Sequence, residues 1–197
     1  TRSSSLTVLI PALQPSPATL PSVCVLTFIR GTPLIPKSLS FSFIISQNNN
    51  IPRIKGIIER LCDTFGDGEE GKKTFPTADV ISKLSVEDLS PIRAGFRAKY
   101  IIDAAQKVVS SEVNFTEIEK NPIEFGREEL QKIKGVGAKV AECTLLYGFH
   151  KIEAFPVDVW VKRIMAEMYP DGLPECTKGT EGIAQQYLFH WRRMQDR

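Results

Sequence analysis

From Phe41 onward, apolar residues recur at three- and four-residue spacing along most of the chain, the period of helices that bury one face. Ile54, Ile57, Ile58 and Leu61 form one such face, with Asn50 ahead of it, Pro52 at its first helical position and Gly66 at its end. Thr77 is placed to cap a short helix running to Leu84, and Ser85 with Asp88 has the form of a capping box for the next. Arg97–Val109 repeats Tyr100, Ile101, Ala104, Ala105 and Val108 on one side. Strand alternation is nearly absent after Ser46, so the predicted fold class is all-α.

The first fifty residues break this pattern. They hold no Asp or Glu, only Arg2, Arg30 and Lys37 as charges, and six of the thirteen prolines. Residues 1–38 are therefore expected to be an irregular extension, and residues 39–197 the helical domain. Pro11 interrupts the apolar run Leu6–Leu13, which argues against a signal-peptide core. The apolar stretches Leu20–Ile29 and Phe41–Ile45 are shorter than the roughly 18–20 residues of a spanning helix, so no membrane partner is expected.

Charge and cysteine change the picture only by exclusion. A net charge of +2 is too small to point to nucleic acid by itself, and any phosphate-binding face must come from local placement. Cys24, Cys62, Cys143 and Cys176 include no C-x-x-C pair and no histidine at ligand spacing. Neither an iron–sulfur cluster nor any other cofactor is expected, and the protein is read as reduced and intracellular.

The stretch Leu130–Lys139 (LQKIKGVGAK) joins two helical patterns through a turn with glycines at 135 and 137. Glycines at this spacing let the backbone turn tightly and approach a bulky ligand, while the amides that open the next helix lack intrahelical partners. Such a turn suits a DNA phosphate, with Lys132 and Lys134 adding positive charge. A plain helix–helix corner closed by a glycine would use the same residues.

The helix that follows, Ala138–Phe149, is apolar on most faces and is predicted to be buried. Lys139 stands in its first turn, where the helix dipole and partial burial would both favour the neutral amine that a nucleophilic lysine requires. A surface lysine at a helix start is the plainer reading. Nineteen residues on, Asp158 follows Phe155-Pro156-Val157 and opens the helix Val159–Tyr169 as its N-cap. A carboxylate there could also stabilise positive charge developing near Lys139.

A glycine hairpin, a helix led by lysine and an aspartate after Pro-Val together resemble the helix-hairpin-helix DNA glycosylase superfamily. Three stretches narrow the likeness to its 8-oxoguanine glycosylase family: Phe41–Ile54 (FSFIISQNNNIPRI), Gly95–Tyr100 (GFRAKY) and Gly135–Cys143 (GVGAKVAEC). The resemblance covers roughly residues 40–195, and residues 1–40 do not resemble the antiparallel sheet domain that usually opens such enzymes. It implies excision of 8-oxoguanine opposite cytosine by base flipping, with Lys139 as Schiff-base nucleophile, Asp158 as its carboxylate and an associated abasic-site lyase. It implies a base pocket of Cys143, Gln185 and Phe189. Asn48, Arg53 and Arg97 would meet the orphaned cytosine, Phe96 would wedge into the gap, and Gly135, Val136 and Gly137 would hold the backbone. The carbonyls of Gln131, Ile133 and Val136 would form a candidate cation site. The implied partner is double-stranded DNA containing oxidised guanine, met by a monomer in the nucleoid or cytoplasm of a bacterium or the nucleus of a eukaryote. Two other readings stay open: a lysine-dependent glycosylase or lyase for another damaged base, and an inactive hairpin module that only binds DNA.

Overall fold

The structure, a computed structural model, describes residues 36–69 and 73–195. Most of the expected extension, and Cys24 with it, lies outside the described residues; Pro36, Lys37 and Ser38 already belong to the first helix. That helix, α1 (Pro36–Ser46), is followed by α2 (Ile51–Phe65), α3 (Ala78–Ile81), α4 (Ala98–Val109) and α5 (Phe115–Lys120). Then come α6 (Ile123–Gln131), α7 (Ala138–Gly148), α8 (Val159–Met168) and α9 (Glu181–Gln195). No strand occurs among the described residues, so the fold is all-α.

Two helices without a polar face form the centre. In α1 the consecutive residues Phe41–Ile45 are all buried, and in α7 Val140, Ala141, Cys143, Leu145 and Leu146 are buried. These helices pack on each other, and the Phe43 ring stacks on Tyr147 at 5.7 Å between centroids. Full burial of one aliphatic side chain is worth about 1.5–3 kcal/mol, so such all-round apolar helices are stable only at the centre of a core. The outer helices are one-sided. Ile54, Ile57, Ile58 and Leu61 of α2, and Ile101, Ala104 and Ala105 of α4, face inward as their spacing predicts. Gly126 lets α6 close on α7, since a Cβ there would stand 2.5 Å from a Leu145 methyl.

The expected caps form, with three corrections to the helices around them. Asn50 accepts the Arg53 amide at 3.0 Å and Gly66 closes α2, but Ile51 takes the first helical position and Pro52 the second. Ser85 and Asp88 make the reciprocal bonds of a capping box, yet only a turn and a 3-10 segment, Ser90–Ile92, follow. Pro91 removes an amide there, and Arg93 turns left-handed at φ 56, which ends any helix. Likewise α3 stops at Ile81, and the turns Lys83 to Val80 and Leu84 to Ile81 replace the expected last helical residues.

Candidate active site

The hairpin is built from behind. After α6, Lys132, Ile133 and Val136 each donate to a carbonyl three residues earlier, at 3.0–3.2 Å, while the Ile133 and Val136 side chains anchor in the core. Asp103 on α4 accepts the Lys134 amide at 2.8 Å, and Lys107 donates to the Lys132 carbonyl. Gly135 is left-handed at φ 80 with the Tyr100 ring directly beneath it. A Cβ at Gly137, by contrast, would meet nothing within 4 Å. No side chain caps the amides that open α7. The outer side of the turn therefore presents backbone donors to solvent.

The two lysines expected to add charge here are already paired. Lys134 reaches Asp103 at 3.4 Å and Lys132 contacts Glu129. The hairpin's attraction for an anion rests on its amides and the α7 dipole more than on these side chains.

Lys139 lies in the first turn of α7 and is exposed, so the partial burial expected from its apolar helix is absent. The helix is buried only from Val140 onward, because its first turn projects past the core. One turn on, the Cys143 thiol is buried and close enough to Lys139 to feel it. Burial pushes that thiol up, Lys139 opposes the shift, and the Asp158 and Glu142 charges add to it. The charges of Lys139 and Asp158 thus both act on the Cys143 thiol, in opposite senses. Asp158 caps α8 as expected, accepting the Val161 amide at 2.8 Å through Oδ1. Its Oδ2 makes no hydrogen bond to a described residue.

Gln185, which its position on an amphipathic helix would place in solvent, is buried on α9 and donates to the Pro156 carbonyl at 3.3 Å. Gln186 donates to its Oε1. Phe189 stands one turn further along α9 and is half-buried. Gly182 brings α9 down onto the loop before α8, its amide bonded to the Ile152 carbonyl at 2.8 Å; a Cβ there would lie 2.3 Å from the Ala154 carbonyl.

A second cluster gathers between α1 and α4. Exposed Phe96 packs edge-on against Tyr100 at 6.0 Å, and Tyr100 in turn lies under Gly135, which joins the expected wedge to the hairpin. Tyr100 had no assigned role in the sequence. Arg53 is exposed beside Gly95. Arg97 departs from the expected base contact. It is only 2 % exposed, and its guanidinium donates to the carbonyls of Gln47 (Nε, 2.9 Å), Asn48 (Nη2, 2.7 Å) and Ala94 (Nη1, 3.3 Å). Through these bonds to the Gln47 and Asn48 carbonyls it ties the α1–α2 turn from within, so in this conformation it shapes the turn that displays Asn48. Burial, followed by the Arg53 charge, lowers its pKa from the usual guanidinium value.

The three asparagines divide the turn chemistry. Asn48 takes the left-handed conformation at φ 45, Asn49 donates to the Ile45 carbonyl at the end of α1, and Asn50 caps α2. Turn chemistry thus accounts for the whole run and not for Asn50 alone. Asn48 keeps its side chain exposed.

Sequence reasoning missed Glu142. It is the single acid in a mostly apolar helix, and that isolation was the available signal. Its carboxylate accepts Arg127 of α6 at 2.5 Å and the Phe155 amide at 2.7 Å. The hydrogen bond that Arg127 donates to Glu142 raises the Arg127 pKa above the usual guanidinium value. Among the described residues, no cluster of three or more His, Cys, Asp or Glu could hold a metal. The candidate cation carbonyls are neutral, and that of Ile133 already accepts the Val136 amide at 3.0 Å. An oxygen-only set of this kind suits a hard cation.

A hairpin with open amides, a lysine leading the next helix and a carboxylate-capped helix beside it define a class of DNA base-excision proteins. The chain belongs to the HhH-GPD superfamily of base excision DNA repair proteins, whose family pattern matches residues 41–179. It is 44% identical over 158 residues to the "Probable N-glycosylase/DNA lyase" of Methanothermobacter thermautotrophicus, covering 68% of this chain and 50% of that protein. It is 38% identical over 151 residues to the N-glycosylase/DNA lyase of Saccharomyces cerevisiae, covering 68% of this chain and 40% of the relative. Among solved structures it resembles the Clostridium acetobutylicum 8-oxoguanine glycosylase/lyase bound to double-stranded DNA with cytosine opposite 8-oxoguanine. The TM-score is 0.73 at 37% identity, over 83% of this chain and 61% of that one. The chain therefore spans about half the length of the relatives it matches.

Proposed function

We propose that this chain carries the catalytic part of a bifunctional DNA N-glycosylase/lyase that removes 8-oxoguanine paired with cytosine. The observation that carries the reading is an exposed Lys139 in the uncapped first turn of α7, one turn from a buried Cys143 whose thiol feels the charges of both Lys139 and Asp158. The Clostridium enzyme's substrate and the lyase names of the curated relatives support it.

In this reading the hairpin amides of Gly135, Val136 and Gly137 hold a phosphate, and the damaged nucleotide turns out of the duplex. Neutral Lys139 Nζ attacks the sugar C1′. The C1′–N9 bond breaks with its electron pair leaving on the base, and the nitrogen loses a proton to give an aminal; the C1′–O4′ bond then breaks as O4′ takes up a proton, which opens the sugar and leaves a Schiff base. Removal of a 2′ proton then expels the 3′ phosphate and cuts the strand. Asp158, with Oδ1 tied to its own helix, offers Oδ2 to the positive charge that develops on the sugar. Because Lys139 is exposed, desolvation of its amine has to come from the bound DNA.

Cys143, Gln185 and Phe189 form the base pocket, with Gln185 held in one orientation by the Pro156 carbonyl. Asn48 and Arg53 read the orphaned cytosine and Phe96 fills the gap. Arg97 acts on the same base through the turn it holds, or directly once DNA opens that turn. A hard cation on the carbonyls of Gln131, Ile133 and Val136 would add charge at the phosphate. The protein works as a monomer in whichever compartment holds the DNA. Among the described residues, no helix is long and apolar enough to cross a membrane.

Single-turnover assays on duplexes carrying 8-oxoguanine, guanine or an abasic site opposite cytosine test this. Release of 8-oxoguanine with strand cutting, and none of guanine, is expected. Cutting of the abasic duplex alone would reassign the chain to another damaged base. Binding without any cutting would leave an inactive hairpin module.

A further inference from the structure

Lys139 and Asp158 sit on different helices, so their separation is only as well defined as the segment that links α7 to α8. That segment is irregular. Its fixed points are the Ala154 side chain, fully buried, the Ile152 carbonyl bonded to Gly182, and the Pro156 carbonyl bonded to Gln185. These hold it to α9 and the core. Its start is tied to the helix that carries Lys139 by the Phe149 and Lys151 amides, which donate to the Leu145 carbonyl at 3.2 and 3.1 Å, and its end, nearer Asp158, is tied to the same helix where Glu142 Oε2 accepts the Phe155 amide at 2.7 Å.

Glu142 is three residues beyond Lys139 on the same helix, so a rigid turn of α7 connects the nucleophile to this tie. Asp158 is three residues beyond Phe155. The carboxylate is aimed by Arg127, whose Nε donates to Oε1 at 2.5 Å and whose Nη2 reaches Oε2 at 3.5 Å. The Glu142 side chain is 13% exposed and that of Arg127 36%, so the carboxylate is the sheltered partner and the two-point, charge-assisted geometry is what fixes its aim.

We propose that Glu142, aimed by Arg127, is a positioning residue: it holds the Phe155–Asp158 segment against α7 and so sets the place of the Asp158 carboxylate relative to Lys139. The proposal rests on the catalytic reading of that pair. A competing role is a plain tie of α6 to α7, which would stabilise the fold without any link to Asp158.

Two measurements on the whole chain separate these roles. The first needs no activity: hydrogen exchange of the peptide spanning 152–161 in Glu142→Ala and Glu142→Gln. Glutamine retains an acceptor oxygen for the Phe155 amide and loses the ion pair, so it should keep the protection that alanine loses. Peptides from α6 and α7 should change little in either. The second is the single-turnover excision rate in a cycle with Asp158→Asn. A displacement of about 1 Å in a catalytic group can cost roughly 100-fold in rate, so Glu142→Ala should lose up to that factor, with DNA affinity retained and most of the rate recovered in Glu142→Gln. In the Asp158→Asn background, Glu142→Ala should cost almost nothing more.

Unchanged exchange at 152–161 in Glu142→Ala overturns the proposal whatever the rates. A loss that multiplies in full with that of Asp158→Asn overturns it as well, because Glu142 would then act elsewhere. If Glu142→Ala fails to fold, Glu142→Gln decides: exchange at 152–161 as fast as in the unfolded chain would show that the carboxylate's acceptor role is not the tie. If Lys139→Gln or Asp158→Asn leaves excision intact, the catalytic reading fails instead, and exchange alone judges the tie.

Discussion

Gly135 and Gly137 lie two residues apart, and the structure gives each a different reason to be glycine. At Gly135 the reason is internal: φ is 80, and a Cβ would stand 2.5 Å from the Tyr100 ring. Alanine there takes on about 1–2 kcal/mol for a left-handed L-residue. Overpacking against Tyr100 adds about 1–3 kcal/mol. At about 2–4 °C per kcal/mol for a chain of this size, Gly135→Ala should lower Tm by roughly 4–20 °C. At Gly137 no internal reason exists, since the backbone is extended and a Cβ meets open space. Alanine at an N-cap costs about 0.5–1 kcal/mol, and the stiffer unfolded chain returns about the same amount. Gly137→Ala should therefore leave Tm nearly unchanged. If a phosphate approaches this position, the Cβ blocks one charge-assisted hydrogen bond worth about 1.5–3 kcal/mol, roughly a 10- to 150-fold loss of DNA affinity. Thermal unfolding followed by circular dichroism, with fluorescence anisotropy on an abasic-analogue duplex at fixed salt, measures both. Wild-type DNA affinity in Gly137→Ala, or a Tm loss as large as that of Gly135→Ala, would refute the reasoning.

Three further outcomes follow from the site. Arg97→Met should cost about 2–4 kcal/mol, because the Gln47 and Asn48 carbonyls lose their buried donor, whereas exposed Arg53→Ala should cost little stability yet narrow the preference for cytosine over the other three opposite bases. Equal Tm losses in denaturation would contradict this division. Burial raises the Cys143 thiol, so the unfolded chain ionises before the folded one; its contribution to stability is complete below the ordinary value of 9.0 and declines as pH rises above it. Urea titrations across that range should show a steeper alkaline loss in the wild type than in Cys143→Ala. Asp158→Asn keeps an N-cap acceptor and loses the charge, so excision should fall by orders of magnitude while Tm and DNA binding hold.

Local chemistry was readable along the chain wherever one residue decides one geometry. Asn50, Thr77, Gly66 and Asp158 cap the helices as their types require, and the inward faces of α2 and α4 follow their spacing. The hairpin and the Lys139–Cys143 face were legible for the same reason. Long-range partners were not. Arg97 lies 50 residues from Gln47, and nothing near it in the chain marks it as buried. Glu142 finds its partners 15 and 13 residues away on α6 and in the loop before α8. The exposure of Lys139 depends on where the core ends along α7, which periodicity does not report. The Ser85–Asp88 box was correctly identified but did not lead into a helix, because a cap cannot extend one past Pro91.

Borohydride trapping on duplexes bearing an abasic site or 8-oxoguanine tests the covalent role of Lys139 most directly. The expected result is a trapped complex with the wild-type chain and none with Lys139→Gln, whose helix and DNA affinity should persist. A trapped complex with Lys139→Gln on abasic DNA would make another amine the nucleophile and contradict the proposed mechanism.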